Sequence, residues 1–178
     1  IIGAIQAACL TAGVWVVHSE RPIAIVFSDG SFYSMTQDDY TQAGADLPDL
    51  SSFPGNSPKW ISVRLPEDYA EQAAVRESAM QRGAPLRALQ ELYQPFSPEH
   101  IDPRYDGLPT QQLQRRDAQS PFLEAFLKAN GGELADYLFL PFGTRYSLAL
   151  LAFRKSDAAL LFLPVPGGLT PVSSGVTE

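Results

Sequence analysis

The chain has 178 residues, 45% of them hydrophobic and 19% charged, which suits one domain with a core and excludes a chain that is disordered throughout. Thirteen Lys and Arg against 20 Asp and Glu give a net charge of −7. With only Lys59, Lys128 and Lys155 as lysines, the chain carries no basic footprint for a phosphate backbone, so no nucleic-acid partner is expected. A single cysteine, Cys9, excludes an internal disulfide, a CxxC pair and a Cys-rich zinc site, and two distant histidines, His18 and His100, argue against a His-based metal centre.

The first element is an apolar run. Residues 1–17 carry no charge and are interrupted only by Gln6 and Thr11. As a helix the run would span about 25 Å, slightly less than a hydrocarbon core of about 30 Å. Because the chain starts at Ile1 rather than Met, upstream residues are expected to complete the span. Gly3, Ala4, Ala7, Ala8, Ala12 and Gly13 are small enough for close helix packing, and Trp15 with His18 suits an interfacial end. Residues 1–18 are therefore expected to be the C-terminal part of a transmembrane helix. A buried core helix, a signal-peptide core and a lipoprotein site at Cys9 are the weaker alternatives. Physics alone leaves the side of the membrane open.

Residues 19–163 then read as a folded α+β domain. The run 23–27 and the run 32–35 flank Asp29-Gly30, the dipeptide whose positive φ angles make a tight hairpin. Thr36 is an N-cap for a short helix with Asp38 and Asp39 in its first turn, closed by Gly44. Residues 46–58 hold Pro48, Pro54, Gly55 and Pro58 and read as a loop, and 60–65 alternate as a half-buried strand. The pattern predicts a helix over 66–82, with an apolar stripe of Tyr69, Ala70, Ala73, Ala74 and Met80 laid on a sheet. Residues 86–93 fit either element, and 94–121, with five prolines, read as loop with helical turns. A further helix runs from Ser120-Pro121 to Lys128 and ends at Gly131-Gly132. Segments 137–142, 145–153 and 158–163 predict an antiparallel meander, and 164–178 a disordered tail. The expected fold is α+β, a mostly antiparallel sheet with two or three helices, preceded by the end of a transmembrane helix.

Catalytic signatures are lacking: no GxSxG, HExxH, P-loop or GxGxxG occurs. Ser28-Asp29-Gly30 is better explained as a hairpin turn than as a catalytic acid, and Asp38-Asp39 as first-turn helix acids than as a metal site. Glu99-His100-Ile101-Asp102 contains an acid–base pair without an identifiable nucleophile. Arg115-Arg116 reads as a solvated helix end. No cofactor, no metal and no catalytic residue is expected. Phe32, Tyr33, Tyr40 and Trp60 are the candidate partner-binding residues, with Tyr33 and Tyr40 expected to be partly exposed.

One stretch is more specific. His18-Ser19-Glu20-Arg21-Pro22 and the following residues through Phe32-Tyr33, after an apolar helix, resemble the membrane-to-periplasm junction of the type IV pilin accessory proteins, the TfpX/TfpZ family. The resemblance continues through Asp38-Asp39-Tyr40, Phe53-Pro54-Gly55 and Pro58-Lys59-Trp60. It covers roughly 10–93, and after about residue 110 only length and character agree. It implies a non-catalytic, chaperone-like accessory factor of the bacterial inner membrane, with its folded domain in the periplasm. The implied partners are a cognate type IV major pilin, inner-membrane lipid and other pilus assembly components. It implies no site residues. A membrane-tethered periplasmic hydrolase using His100 and Asp102, or a ligand-binding sensor domain, is the competing expectation.

Overall fold

The structure, a computed structural model, describes residues 20–104, 106–117 and 122–163. The apolar run at 1–18, the first residues of the helix expected from Ser120 and the tail at 164–178 lie outside the described residues. Among the described residues no helix is long and apolar enough to cross a membrane.

Seven strands in the order β4-β3-β1-β2-β5-β6-β7 form one mixed sheet, accompanied by four short α-helices among the described residues. This corrects the expected mostly antiparallel sheet with two or three helices. Two of the pairings are parallel. Strand β1 (Ala24–Ser28) runs parallel to β3 (Lys59–Val63), and β2 (Ser31–Met35) parallel to β5 (Tyr137–Gly143). The turn at Asp29-Gly30 sends β2 back to the start of β1, where Ile23 N–H donates to the Met35 carbonyl and Lys59 N–H to the Ile23 carbonyl. Residues 36–58, a six-residue helix and a Pro-rich loop, therefore return the chain at that same end and set β3 on the other side of β1, parallel to it.

The described residues divide into two compact units, 20–28 with 34–96 and 29–33 with 97–163. In the first unit, β1 is buried along its whole length, which explains why its residues are apolar on both faces. The turn that follows it has Asp29 at φ 48° and Gly30 at φ 69°, as the Asp-Gly pair demands, and Ile23 N–H donates to the Met35 carbonyl at 2.9 Å. Helix α1 (Gln37–Gln42) starts at a capping box. The Thr36 hydroxyl accepts from Asp39 N–H, and the Asp39 carboxylate accepts from Thr36 N–H at 2.7 Å.

Helix α2 (Tyr69–Gln81) forms within the expected span but turns a different face inward. Its N-cap is Asp68, and Gly83 follows its end at φ 67°. Ala79 is buried and Gln72 and Val75 are half-buried, whereas Ala70, Ala73 and Ala74 are exposed and Tyr69 and Met80 are 84% and 78% exposed. An alanine stripe offers little apolar area, so it does not decide the packed face. Two 3-10 turns (Leu86–Ala88, Gln90–Leu92) lead into β4 (Tyr93–Pro95), antiparallel to β3.

In the second unit, β5, β6 (Leu148–Arg154) and β7 (Ala159–Leu163) are the expected antiparallel meander. Strand β6 starts three residues later than expected. The Thr144 hydroxyl accepts from the N–H groups of Tyr146 and Ser147, and Thr144 N–H donates to the Ser147 carbonyl, which closes a four-residue turn. Helices α3 (Thr110–Asp117) and α4 (Phe122–Asn130) cover one face of the meander. The core there joins Leu113, Phe122, Leu123 and Phe126 to Tyr137, Phe139, Leu150, Ala152 and Leu163. The Phe126 ring meets Tyr137 edge-on at 5.1 Å and Phe139 at 5.9 Å.

Candidate functional site

The four candidate partner-binding residues fall in different places. Phe32 and Tyr33 belong to the second unit, Tyr40 and Trp60 to the first. Phe32 and Tyr40 have no exposed surface (0%), and Tyr33 and Trp60 are half-buried. Tyr40 thus departs from the exposure expected of it.

Its burial has a clear cause. Tyr40 projects from α1, and its hydroxyl lies 2.9 Å from that of Tyr93, which also lies 2.6 Å from the Arg87 carbonyl. A phenol has one proton and a carbonyl can only accept. Tyr93 therefore donates to Arg87, leaving Tyr40 to donate to Tyr93. Burial pushes Tyr40 up to about 12 and raises Tyr93 further. The pair is a neutral, fully hydrogen-bonded clamp between α1 and the entry to β4. Sequence reasoning missed Tyr93 because its partner is 53 residues away.

Trp60 lies on the other face of the first unit's sheet. Side chains alternate along β3, so Trp60 and Ser62 share one face, and Ile61 and Val63 the other. Tyr93 is opposite Val63 in the register, which puts the Tyr40–Tyr93 clamp on the Val63 face. On the Trp60 face, Phe96 N–H donates to the Trp60 carbonyl and the two rings stand 6.0 Å apart, with Phe27 edge-on to Phe96 at 6.0 Å. Phe27 is buried, while Trp60 and Phe96 are half-buried. This aromatic patch is the candidate site. Phe27, Trp60 and Phe96 carry no titratable group, so these rings can hold an apolar surface but cannot move a proton or form a bond. Phe96 could not be assigned to it from sequence, since its place depends on the β3–β4 register.

The motif beside Trp60 has a structural role. Lys59 Nζ donates to the Phe53 carbonyl at 2.8 Å and also to the Gly55 carbonyl, fastening the loop that precedes the cis Ser57–Pro58 bond. The Phe53-Pro54-Gly55 and Pro58-Lys59-Trp60 motifs are thus two ends of one clip.

The acid–base residues of the second unit are occupied elsewhere. His100 Nδ1 accepts from Ser97 N–H at 3.2 Å, closing a 3-10 turn. The Asp102 carboxylate pairs with Arg104 at 3.0 and 2.8 Å, which holds it below the usual carboxylate range. Asp106 accepts from Asp102 N–H at 2.7 Å; burial raises it, and the Asp102 and Asp29 charges add to that. Among the described residues no group of three or more His, Cys, Asp or Glu is placed to hold a metal ion. A cleft of about 430 Å³ is lined by Arg104, Thr110, Tyr137 and Lys155 among others, with Lys155 Nζ on the Ala135 carbonyl at 2.7 Å.

Comparison with known proteins found no matching family model, no matching curated protein and no matching solved structure.

Proposed function

We propose that this protein is a non-catalytic accessory factor of type IV pilus assembly, acting at the bacterial inner membrane with its folded units in the periplasm. The observation that carries this reading is the sequence resemblance over 18–33, 38–40, 53–55 and 58–60 to type IV pilin accessory proteins. The partner is a cognate major pilin. The half-buried Trp60 and Phe96 rings of the first unit are the apolar surface offered to its globular part, and the half-buried Tyr33 of the second unit is a separate candidate contact. The residues of the resemblance make the hairpin turn, the α1 cap and the Lys59 clip, so they are fold-building residues of the kind a binding scaffold needs.

The test is retention of pilin on the intact protein in mild detergent, using the pilins of its own source. Retention of one major pilin, weakened by Trp60→Ala with the fold intact, is the expected result. No retention, together with normal pili after deletion of the gene, overturns the reading.

A further inference from the structure

An asparagine followed by glycine is the pair most open to attack on itself, because glycine has no side chain to keep its amide nitrogen off the asparagine Cγ. Asn56 and Asn130 are the chain's two asparagines, and only Asn130 precedes a glycine. Helix α4 stops at this pair. Gly131 has a φ of 76°, the left-handed helix end that favours glycine, and its N–H donates to the Leu127 carbonyl at 2.7 Å. Ring closure needs that nitrogen free and Cγ beside it, and the structure denies both. The Asn130 side chain leans back along the helix, its Nδ2 donating to the Phe126 carbonyl at 2.9 Å, so Cγ is held over the preceding turn. Tyr137 fastens the chain just beyond. Its hydroxyl donates to the Gly131 carbonyl at 2.8 Å, with the Asn130 carbonyl 3.4 Å away, and its ring is fixed in the core. Asn130 and Gly131 are themselves exposed, so hydrogen bonding rather than burial is what guards them.

We infer that Asn130 is a deamidation site and that Tyr137 sets its rate by holding the last turn of α4 closed. When that turn opens, the Gly131 nitrogen gives up its proton to solvent base and bonds to Asn130 Cγ. The side-chain nitrogen takes up a proton and leaves as ammonia. Water then opens the cyclic imide at one of its two carbonyls, giving aspartate or isoaspartate. The net change consumes water, releases ammonia and needs no oxidant or reductant. An aspartate at 130 cannot donate to the Phe126 carbonyl, and it sets a negative charge at the negative end of the α4 dipole. Isoaspartate also lengthens the main chain by a carbon and draws the Gly131 carbonyl off Tyr137. The step is irreversible and loosens the helix that carries Phe122, Leu123 and Phe126 into the core of the second unit. The inference is independent of the pilus reading.

The test holds the full chain in mildly alkaline buffer, folded and in urea, and follows conversion at Asn130 by peptide mass spectrometry, with aspartate and isoaspartate separated by chromatography. The expected result is ready conversion in urea and conversion slower by about tenfold or more in the folded chain. Tyr137→Phe, which keeps the ring and removes the hydroxyl, speeds the folded-state conversion about fivefold, the effect of one net hydrogen bond on an opening equilibrium. Thr144→Ala, which removes hydrogen bonds from the β5–β6 turn of the same unit, leaves it unchanged. Equal rates folded and in urea, or no conversion in urea, overturn the inference even if neither variant folds. Tyr137→Phe without effect overturns it. So does equal acceleration by Thr144→Ala, since the stability of the whole unit would then set the rate.

Discussion

Removing the Tyr93 hydroxyl is expected to cost more than removing both hydroxyls of the Tyr40–Tyr93 pair. In Tyr93→Phe the Arg87 carbonyl loses the donor now 2.6 Å away, and the fully buried Tyr40 hydroxyl loses its acceptor at 2.9 Å. Each group so orphaned costs about 1–3 kcal/mol, so the substitution should cost about 3 kcal/mol. Tyr40→Phe leaves the Tyr93–Arg87 bond intact and removes one neutral hydrogen bond, for about 1 kcal/mol. The double substitution leaves only the carbonyl unpaired and should cost about 2 kcal/mol, a coupling well outside the additivity of independent sites. Urea unfolding at constant slope, followed by far-ultraviolet circular dichroism, measures all four proteins. Strict additivity, or a Tyr40→Phe loss as large as that of Tyr93→Phe, would refute the assigned direction of the two hydrogen bonds.

The same pair makes stability fall in alkali. Both tyrosines hold their protons above the unfolded value of 10, so the folded state binds more protons there. Their contribution is whole below pH 10 and lost as pH rises toward the Tyr40 value of about 12, by about 1.4 kcal/mol per pH unit for that residue. Urea midpoints between pH 9 and 11 should decline, and less steeply in the double Phe variant. Gly30→Ala places a Cβ 2.8 Å from the Asp106 carboxylate at a φ of 69°, and should cost about 1–2 kcal/mol. Because Asp106→Ala also loses the bond from Asp102 N–H, the comparison is made within that background: there Gly30→Ala should cost less than in the parent but not nothing, and an unchanged or a vanished cost in a melting series contradicts that division. Lys59→Met frees the Phe53 and Gly55 carbonyls, and should speed proteolytic cleavage within 50–58 while lowering stability by about 1 kcal/mol. Unchanged cleavage would mean the loop is held by other contacts.

What was legible in the sequence was local. The Asp29-Gly30 turn, the Thr36 cap and the β5–β6–β7 meander each depend on residues a few positions apart, so their chemistry is written where they form. The candidate site was partly legible: Trp60 could be picked out as an aromatic on a half-buried strand, but Tyr40 sits in the core because of Tyr93, a partner no local pattern reveals. Phe96 reaches Trp60 only through the β3–β4 register. The direction of β3 and of β5 relative to their neighbours was likewise decided by tertiary structure. Alternation of apolar residues is the same for parallel and antiparallel strands, and the short helix and Pro-rich loop at 36–58 do not say on which side of β1 the chain returns. The face of α2 was decided there too, since Ala70, Ala73 and Ala74 carry too little apolar area to outweigh the contacts of Gln72, Val75 and Ala79. Short-range steric and hydrogen-bonding preferences belong to the sequence itself; strand direction, buried pairs and the packed face arise only when distant segments compete for one interior.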